Sequence, residues 1–165
     1  MVLRALDPSD IGDCDLVVAL ATHAALRWRR ATRWRLSLAP TDLLANIRSA
    51  CSYLFVIERD DEVFGLAALS DLDPAARVAT LELVAGPHPE AASELRIHAA
   101  NAVRLVFGSM SLRRLYFEHL AGDPFPLADD LERWERELVI ESFAVVDGVP
   151  TAQETWVTTP ERWAT

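Results

Sequence analysis

A single α/β domain is the fold class that this chain predicts, and three observations carry the prediction. Its 165 residues are 51% hydrophobic and 25% charged, a length and balance that suit one sizeable core. Apolar residues recur at helical spacing in some stretches, while compact β-type runs fill others. No repeat, low-complexity tract or Gly/Ser-rich linker interrupts the chain. The expected order is β-α-α-β-β-β-α-β-α-β-β, on a mixed and mostly antiparallel sheet.

The first strand is Val2-Leu3-Arg4-Ala5-Leu6, stopped by Asp7-Pro8 because proline has no amide to donate to a ladder. Ser9 or Asp10 caps the helix that follows. From Ile11 to about Ala31 the residues Leu16, Val17, Leu20, Ala24 and Trp28 recur at helical spacing and bury one face. A second helix follows Pro40, with Thr41 as its cap. The period then changes. The runs Tyr53–Ile57, Val63–Leu69 and Val78–Val84 are compact and apolar, and the polar segments 59–62 and 70–74 divide them as hairpin connections do, which makes an antiparallel meander.

After Gly86-Pro87 a helix carries Leu95, Ala99, Ala102 and Val106 on one stripe and ends near Gly108, where a left-handed residue can terminate it. A strand follows over Arg114–Leu120. Leu127, Leu131, Trp134 and Leu138, at i, i+4, i+7 and i+11, predict another amphipathic helix. Finally Phe143–Val146 and Gln153–Val157 flank Asp147-Gly148, a dipeptide suited to a tight hairpin.

The net charge of −9 argues against a general polyanion binder, since nucleic-acid affinity depends on cations that release phosphate counterions. Two cysteines, Cys14 and Cys51, make neither a disulfide framework nor a zinc pattern, so no metal is expected. No apolar run reaches the roughly 20 residues that cross a bilayer, and the N-terminus lacks the features of a signal peptide. The expected location is the cytoplasm, with thiols reduced.

The element order, with its meander ahead of the main helix, resembles the GNAT acyltransferase superfamily over almost the whole chain. Leu3–Asp10 is similar to that family's opening strand and helix entry, and Val63–Leu69 to its third strand. Asp71-Leu72-Asp73-Pro74 and the closing Glu161-Arg162-Trp163 resemble the branch containing ribosomal-protein N-terminal acetyltransferases. The family's loop after the fourth strand, Arg/Gln-x-x-Gly-x-Gly/Ala, grips the pyrophosphate of coenzyme A with exposed amides and a positive helix end. Here it aligns with His88-Pro89-Glu90-Ala91-Ala92-Ser93, which has neither glycine, loses one amide at Pro89 and adds a negative charge at Glu90.

What the resemblance implies is an acyl-CoA-dependent N-acyltransferase, with acetyl-CoA or another acyl-CoA as co-substrate and a small-molecule or peptide amine as acceptor. A carboxylate on the fourth strand often serves as the base, which Glu82 matches; an exposed structural carboxylate is the equal alternative. Val84, His88, Ala91, Ala92 and Ser93 fall where pantetheine and pyrophosphate are held, although a plain strand-to-helix turn explains residues 88–93 as well. His119, at the end of the fifth strand, is a second catalytic candidate ranked below Glu82, since imidazole can titrate near neutrality, against the simpler reading of a surface or hydrogen-bonded residue. The family's acid tyrosine corresponds to Leu138, with Ser142 or water as a substitute. Tyr53, Tyr116 and His98 fit ordinary packing.

Five arginines lie within Arg27–Arg35. Arg29 and Arg33 are candidates to receive an anionic substrate or an acidic carrier protein, against the simpler reading of a solvated face whose stems cover Trp28 and Trp34. A second functional class is a GNAT-fold protein reassigned away from acetyl-CoA, as another biosynthetic enzyme or a binding module. A third is a structural dimer through Trp28, Trp34 or the terminal strands; monomer and homodimer both remain open.

Overall fold

The computed structural model describes residues 2–7, 10–22, 45, 49, 51–60, 62–86, 88–123 and 125–164. Strand β1, Val2–Ala5, leads into helix α1, Ile11–Thr22, which Asp10 caps by accepting the amide of Asp13 at 2.8 Å. The rest of the first expected helix, and the helix after Pro40 with its Thr41 cap, lie outside the described residues apart from Ala45 and Ser49, which are helical.

The meander is β2, Cys51–Arg59; β3, Glu62–Asp73; and β4, Val78–Ala85. Each strand runs beyond its apolar core at one or both ends, because polar flanks extend a ladder without needing burial. Asp60 takes a positive φ of 53° at the first turn. At the second, the Asp73 carboxylate accepts the amides of Ala75 and Ala76, the side-chain mimicry that makes aspartate a turn former.

Helix α2, Ala91–Ser109, buries Leu95, Ala99, Ala102, Val103 and Val106. It stops at Met110 in extended conformation, not at a left-handed Gly108 as expected. Strand β5 covers Arg114–Leu120, as the sequence predicts.

The expected helix through Leu127 and Leu138 is absent. A short 3₁₀ segment, Ala128–Arg133, gives way to the long strand β6, Glu135–Val146, which a hairpin at Asp147-Gly148 returns into β7, Val149–Thr158. Both turn residues have positive φ, 51° and 82°, the backbone that a two-residue hairpin favours. Leu127 and Trp134 are buried, but Leu131 and Leu138 are exposed. Only half of the apolar stripe was therefore a core signal. The β-branched Val139-Ile140 and the pairing of β6 with β7 outweigh helical spacing.

The sheet order is β1-β2-β3-β4-β5-β7-β6, antiparallel except for β4 against β5. One face packs on α2: Leu81, Leu83, Leu115, Phe117, Leu127, Trp134 and Trp163 join its apolar stripe in the main core, each large side chain contributing roughly 1.5–3 kcal/mol. The other face packs on α1, with Val17 against Cys51, Val56, Leu66, Ala68 and Val84. The closing tryptophan is pinned as its Trp163 indole donates to Thr158 Oγ1 at 2.8 Å.

Candidate active site

The sheet opens at one place. β4 and β5 pair at Val78/Arg114, Ala79/Leu115, Thr80/Tyr116 and Leu81/Phe117. Beyond that point β4 continues on β3 as far as Ala85, and β5 continues on β7 as far as Leu120. The ladder thus ends while both strands go on, and the facing edges of 82–85 and 118–120 carry main-chain donors and acceptors that the ladder does not use. Such groups need another partner, from side chains, water or a ligand.

Glu82 is the first β4 residue past the last pair. It alternates with Leu81 and Leu83, so it shares the α1 face with Val84. Its side chain is fully buried, which overturns the alternative of an exposed carboxylate. Ser70 Oγ on β3 donates to Glu82 Oε1 at 2.5 Å. Val84 is buried two residues further on, opposite Leu66. Its carbonyl lies hard against β3, where only Gly65 leaves room for it.

The turn into α2 holds the candidate pyrophosphate contacts. Glu90 is the N-terminal cap, Ala91 is buried, and Ala92 and Ser93 are exposed. The leading amides of a helix have no carbonyl partner of their own and carry partial positive charge. His88 is built into this turn: its Nδ1 accepts the Glu90 amide at 3.1 Å, and its ring meets Phe64 edge-on at 4.6 Å. Glu90 is not a bare charge at the helix end. Arg59, lying over Phe64, reaches Glu94 at 2.6 Å and Glu90 at 3.5 Å.

His119 sits on the opposite face from Glu82. Leu81 pairs with Phe117 in the α2-side core, and His119, two residues on, stacks on Phe117 at 6.2 Å. It is no surface histidine. Its Nε2 lies 3.1 Å from Glu154 Oε2, which also accepts the Trp156 indole at 3.1 Å, while Arg136 donates to Oε1 at 3.0 Å. Burial is the largest influence on His119 and lowers its pKa, outweighing the opposing pull of Glu154. Burial alone would raise Glu154, but Trp156, Arg136 and His119 together hold its pKa below the ordinary carboxylate value.

Both shifts act in the same direction on stability. With its pKa depressed in the fold, His119 binds fewer protons than in the unfolded chain below its ordinary value of 6.5, so stability is present above 6.5 and falls as pH drops. Loss through Glu154 begins below its ordinary 4.5. We expect His119→Gln, which keeps a donor for Glu154, to flatten the fall in melting temperature between about pH 6.5 and 5. A wild-type slope in that window would show that the acid sensitivity arises elsewhere.

Glu82 and His119 therefore do not form a pair. Leu138 and Ser142 lie on the exterior strand β6, Ser142 at a bulge with φ 52°, and they follow a short 3₁₀ segment in place of the expected helix after which the family's acid tyrosine stands. Tyr53 is half exposed, not core. Tyr116 Oη accepts from Arg114 at 3.2 Å, and His98 stands 3.6 Å from Glu94. Arg29 and Arg33 lie outside the described residues. Sequence reasoning missed Ser70, Arg59 and Glu154. The last had a signal, since Glu154 and Trp156 are two apart on a strand and must share a face; Ser70 and Arg59 meet their partners across the fold, where spacing gives no clue.

Among the described residues no group of three or more His, Cys, Asp or Glu side chains is placed to hold a metal ion, and no helix is long and apolar enough to cross a membrane. No protein-family model and no curated protein sequence matches the chain. Among solved structures, the spermidine N-acetyltransferase of Vibrio cholerae in complex with CoA and spermine is similar at TM-score 0.78 and 15% identity, over 98% of this chain and 96% of that one. A chimera of the Vibrio cholerae enzyme and hSSAT gives TM-score 0.77 and 18% identity over 99% of each chain. At such identities the likeness is one of architecture, and over nearly its whole length the chain has the mixed α/β fold of the GNAT acetyltransferases.

Proposed function

We propose that this chain is an acyl-CoA-dependent N-acyltransferase, a single-domain GNAT enzyme using acetyl-CoA first and acting on an amine of a small molecule or peptide. The observation that carries the reading is the end of the β4–β5 ladder one residue before Glu82. It leaves a slot with unused main-chain groups beside a buried carboxylate. In this reading the Val84 main chain and the amides of Ala92 and Ser93 hold pantetheine and pyrophosphate, small Ala91 allows their close approach while its own amide donates to the His88 carbonyl at 2.9 Å, and Arg59 offsets the acidic residues near the helix end. The retention of CoA by the spermidine N-acetyltransferase of like fold supports the same choice.

In the reaction the amine nitrogen forms a bond to the thioester carbonyl carbon, and the carbon–sulfur bond breaks to release CoA thiolate. Glu82 accepts the amine proton, directly or through water. His119, on the α2 face, positions β5 and β7 through Glu154 and takes no part in this proton transfer. Arg29 and Arg33 remain candidates to receive an acidic carrier protein. The segments 71–74 and 161–163 resemble the ribosomal-protein branch, which places a peptide N-terminus beside a small-molecule amine among the acceptors to be tested. A cytoplasmic location follows from the use of acyl-CoA.

Calorimetry with acetyl-CoA and CoA tests the proposal: we expect saturable 1:1 binding, and no heat at millimolar ligand would reject it in favour of a fold reassigned away from CoA. The exposed apolar residues Leu138, Val139, Ile140, Phe143, Val145 and Val149 on the terminal hairpin favour a homodimer through that hairpin over a monomer. Light scattering should then read twice 18.3 kDa.

A further inference from the structure

We infer that the cleft between α1 and the start of β2 seats the acceptor, and that the acceptor is an amine carried on an apolar, ring-sized body. The inference rests on the transferase reading above. The cleft measures about 390 Å³, within the roughly 300–1,000 Å³ of small-molecule sites. Its walls are mainly Leu6, Val17, Leu54 and Phe55, with Cys14 and Cys51, and half-exposed Tyr53 adds an aromatic surface.

Its position ties it to Glu82. Val17 and Cys51 belong to the same buried cluster as Val84, so the cleft opens on the face of the sheet that carries Glu82. Cys51 pairs across the ladder with Ser70, and Ser70 holds Glu82. From β2 to β4 is two strand spacings, roughly 10 Å. An elongated amine lying in the cleft can direct its nitrogen along this row while the acyl donor occupies the slot between β4 and β5.

Charge chooses the class. Among the described residues lining the cleft, the charged ones are Asp7 and Asp13. Asp13 is committed, bound by Arg4 at 2.9 Å and by the Asp7 amide at 2.8 Å, and it shapes the rim. Asp7 stands exposed at the mouth. Such a rim draws a cation inward and repels a carboxylate. Among the described residues the walls offer no further carboxylate to a second or third ammonium, whose desolvation there is costly, so the cleft favours an amine of single charge over a polyamine. This sets the chain apart from neighbours of like fold that act on spermidine.

The test titrates the full chain by calorimetry with 2-phenylethylamine, spermidine and 3-phenylpropanoate, with and without CoA, while mass spectrometry follows iodoacetamide alkylation of Cys14. We expect 2-phenylethylamine to bind about tenfold or more tighter than the other two and to slow Cys14 alkylation. Cys14→Phe, which fills the cleft, should abolish amine binding and leave CoA affinity unchanged. Asp7→Asn, at the exposed mouth, should weaken the amine about two- to fivefold, with its melting temperature measured alongside. Spermidine binding as tightly as the aryl amine, aryl-amine binding that leaves Cys14 unprotected, or full amine affinity in both variants would each overturn the inference. CoA binding without amine binding overturns the cleft assignment alone, whereas amine binding without CoA overturns the transferase reading and the acceptor role together.

Discussion

Replacing Gly65 with alanine is expected to lower the melting temperature by about 6–12 °C, from a loss of roughly 3 kcal/mol in a chain of this length. A Cβ at that position would stand 2.2 Å from the Val84 carbonyl oxygen and 3.2 Å from the Val84 carbonyl carbon. Those atoms are main chain, so no rotamer change relieves the overlap. β3 and β4 must separate where Gly65 opposes Ala85 and where the Gly86 amide donates to the Phe64 carbonyl at 2.7 Å. The damage falls at the mouth of the slot, so CoA affinity should drop along with stability. Thermal denaturation followed by calorimetry measures both; a melting temperature within 2 °C of wild type, read with the roughly 2–4 °C per kcal/mol expected here, would mean that the strands are not this close.

The second large effect is on turnover. Glu82→Gln preserves volume and leaves an oxygen to accept from Ser70, so the fold and the CoA site should survive. What it removes is the proton acceptor on the α1 face. We expect kcat for amine acylation to fall by about 10²–10⁴-fold with KM for acetyl-CoA little changed. Glu82→Ala adds a stability loss, because Ser70 then keeps a buried hydroxyl without its present acceptor. If the glutamine variant retains kcat within about tenfold of wild type, another base or a water chain does the work.

The meander, the main helix and β5 were legible because each is a short-range pattern: alternating or continuous apolar runs, a stripe at i, i+4 and i+7, polar turns between. The stretch from Leu127 to Leu138 was not, because Leu127 and Trp134 reach the core from a 3₁₀ segment and a strand start, and helical spacing between them is coincidence. Glu82 was legible as a position but not as a burial, since the side that covers it lies far along the chain. The acidic look of the loop at Glu90 was misleading for the same reason: Arg59, 31 residues earlier, supplies the countercharge. Gly65 stood in plain view inside an apolar run, where a lone glycine signals close approach of another backbone.

The four-pair seam between β4 and β5 has a consequence for how the molecule opens and folds. It joins two antiparallel units, β1 to β4 and β5 with β7 and β6, across a crossover that includes all of α2. The β2–β3–β4 meander and the β6–β7 pair close through short turns, whereas the seam must wait for a long loop to close, which places it after them in folding and raises the contact order. In native-state hydrogen exchange the two units should behave as separate foldons. A molecule lodged in the slot would touch both, and its binding would then be read as slowed exchange on either side of the seam.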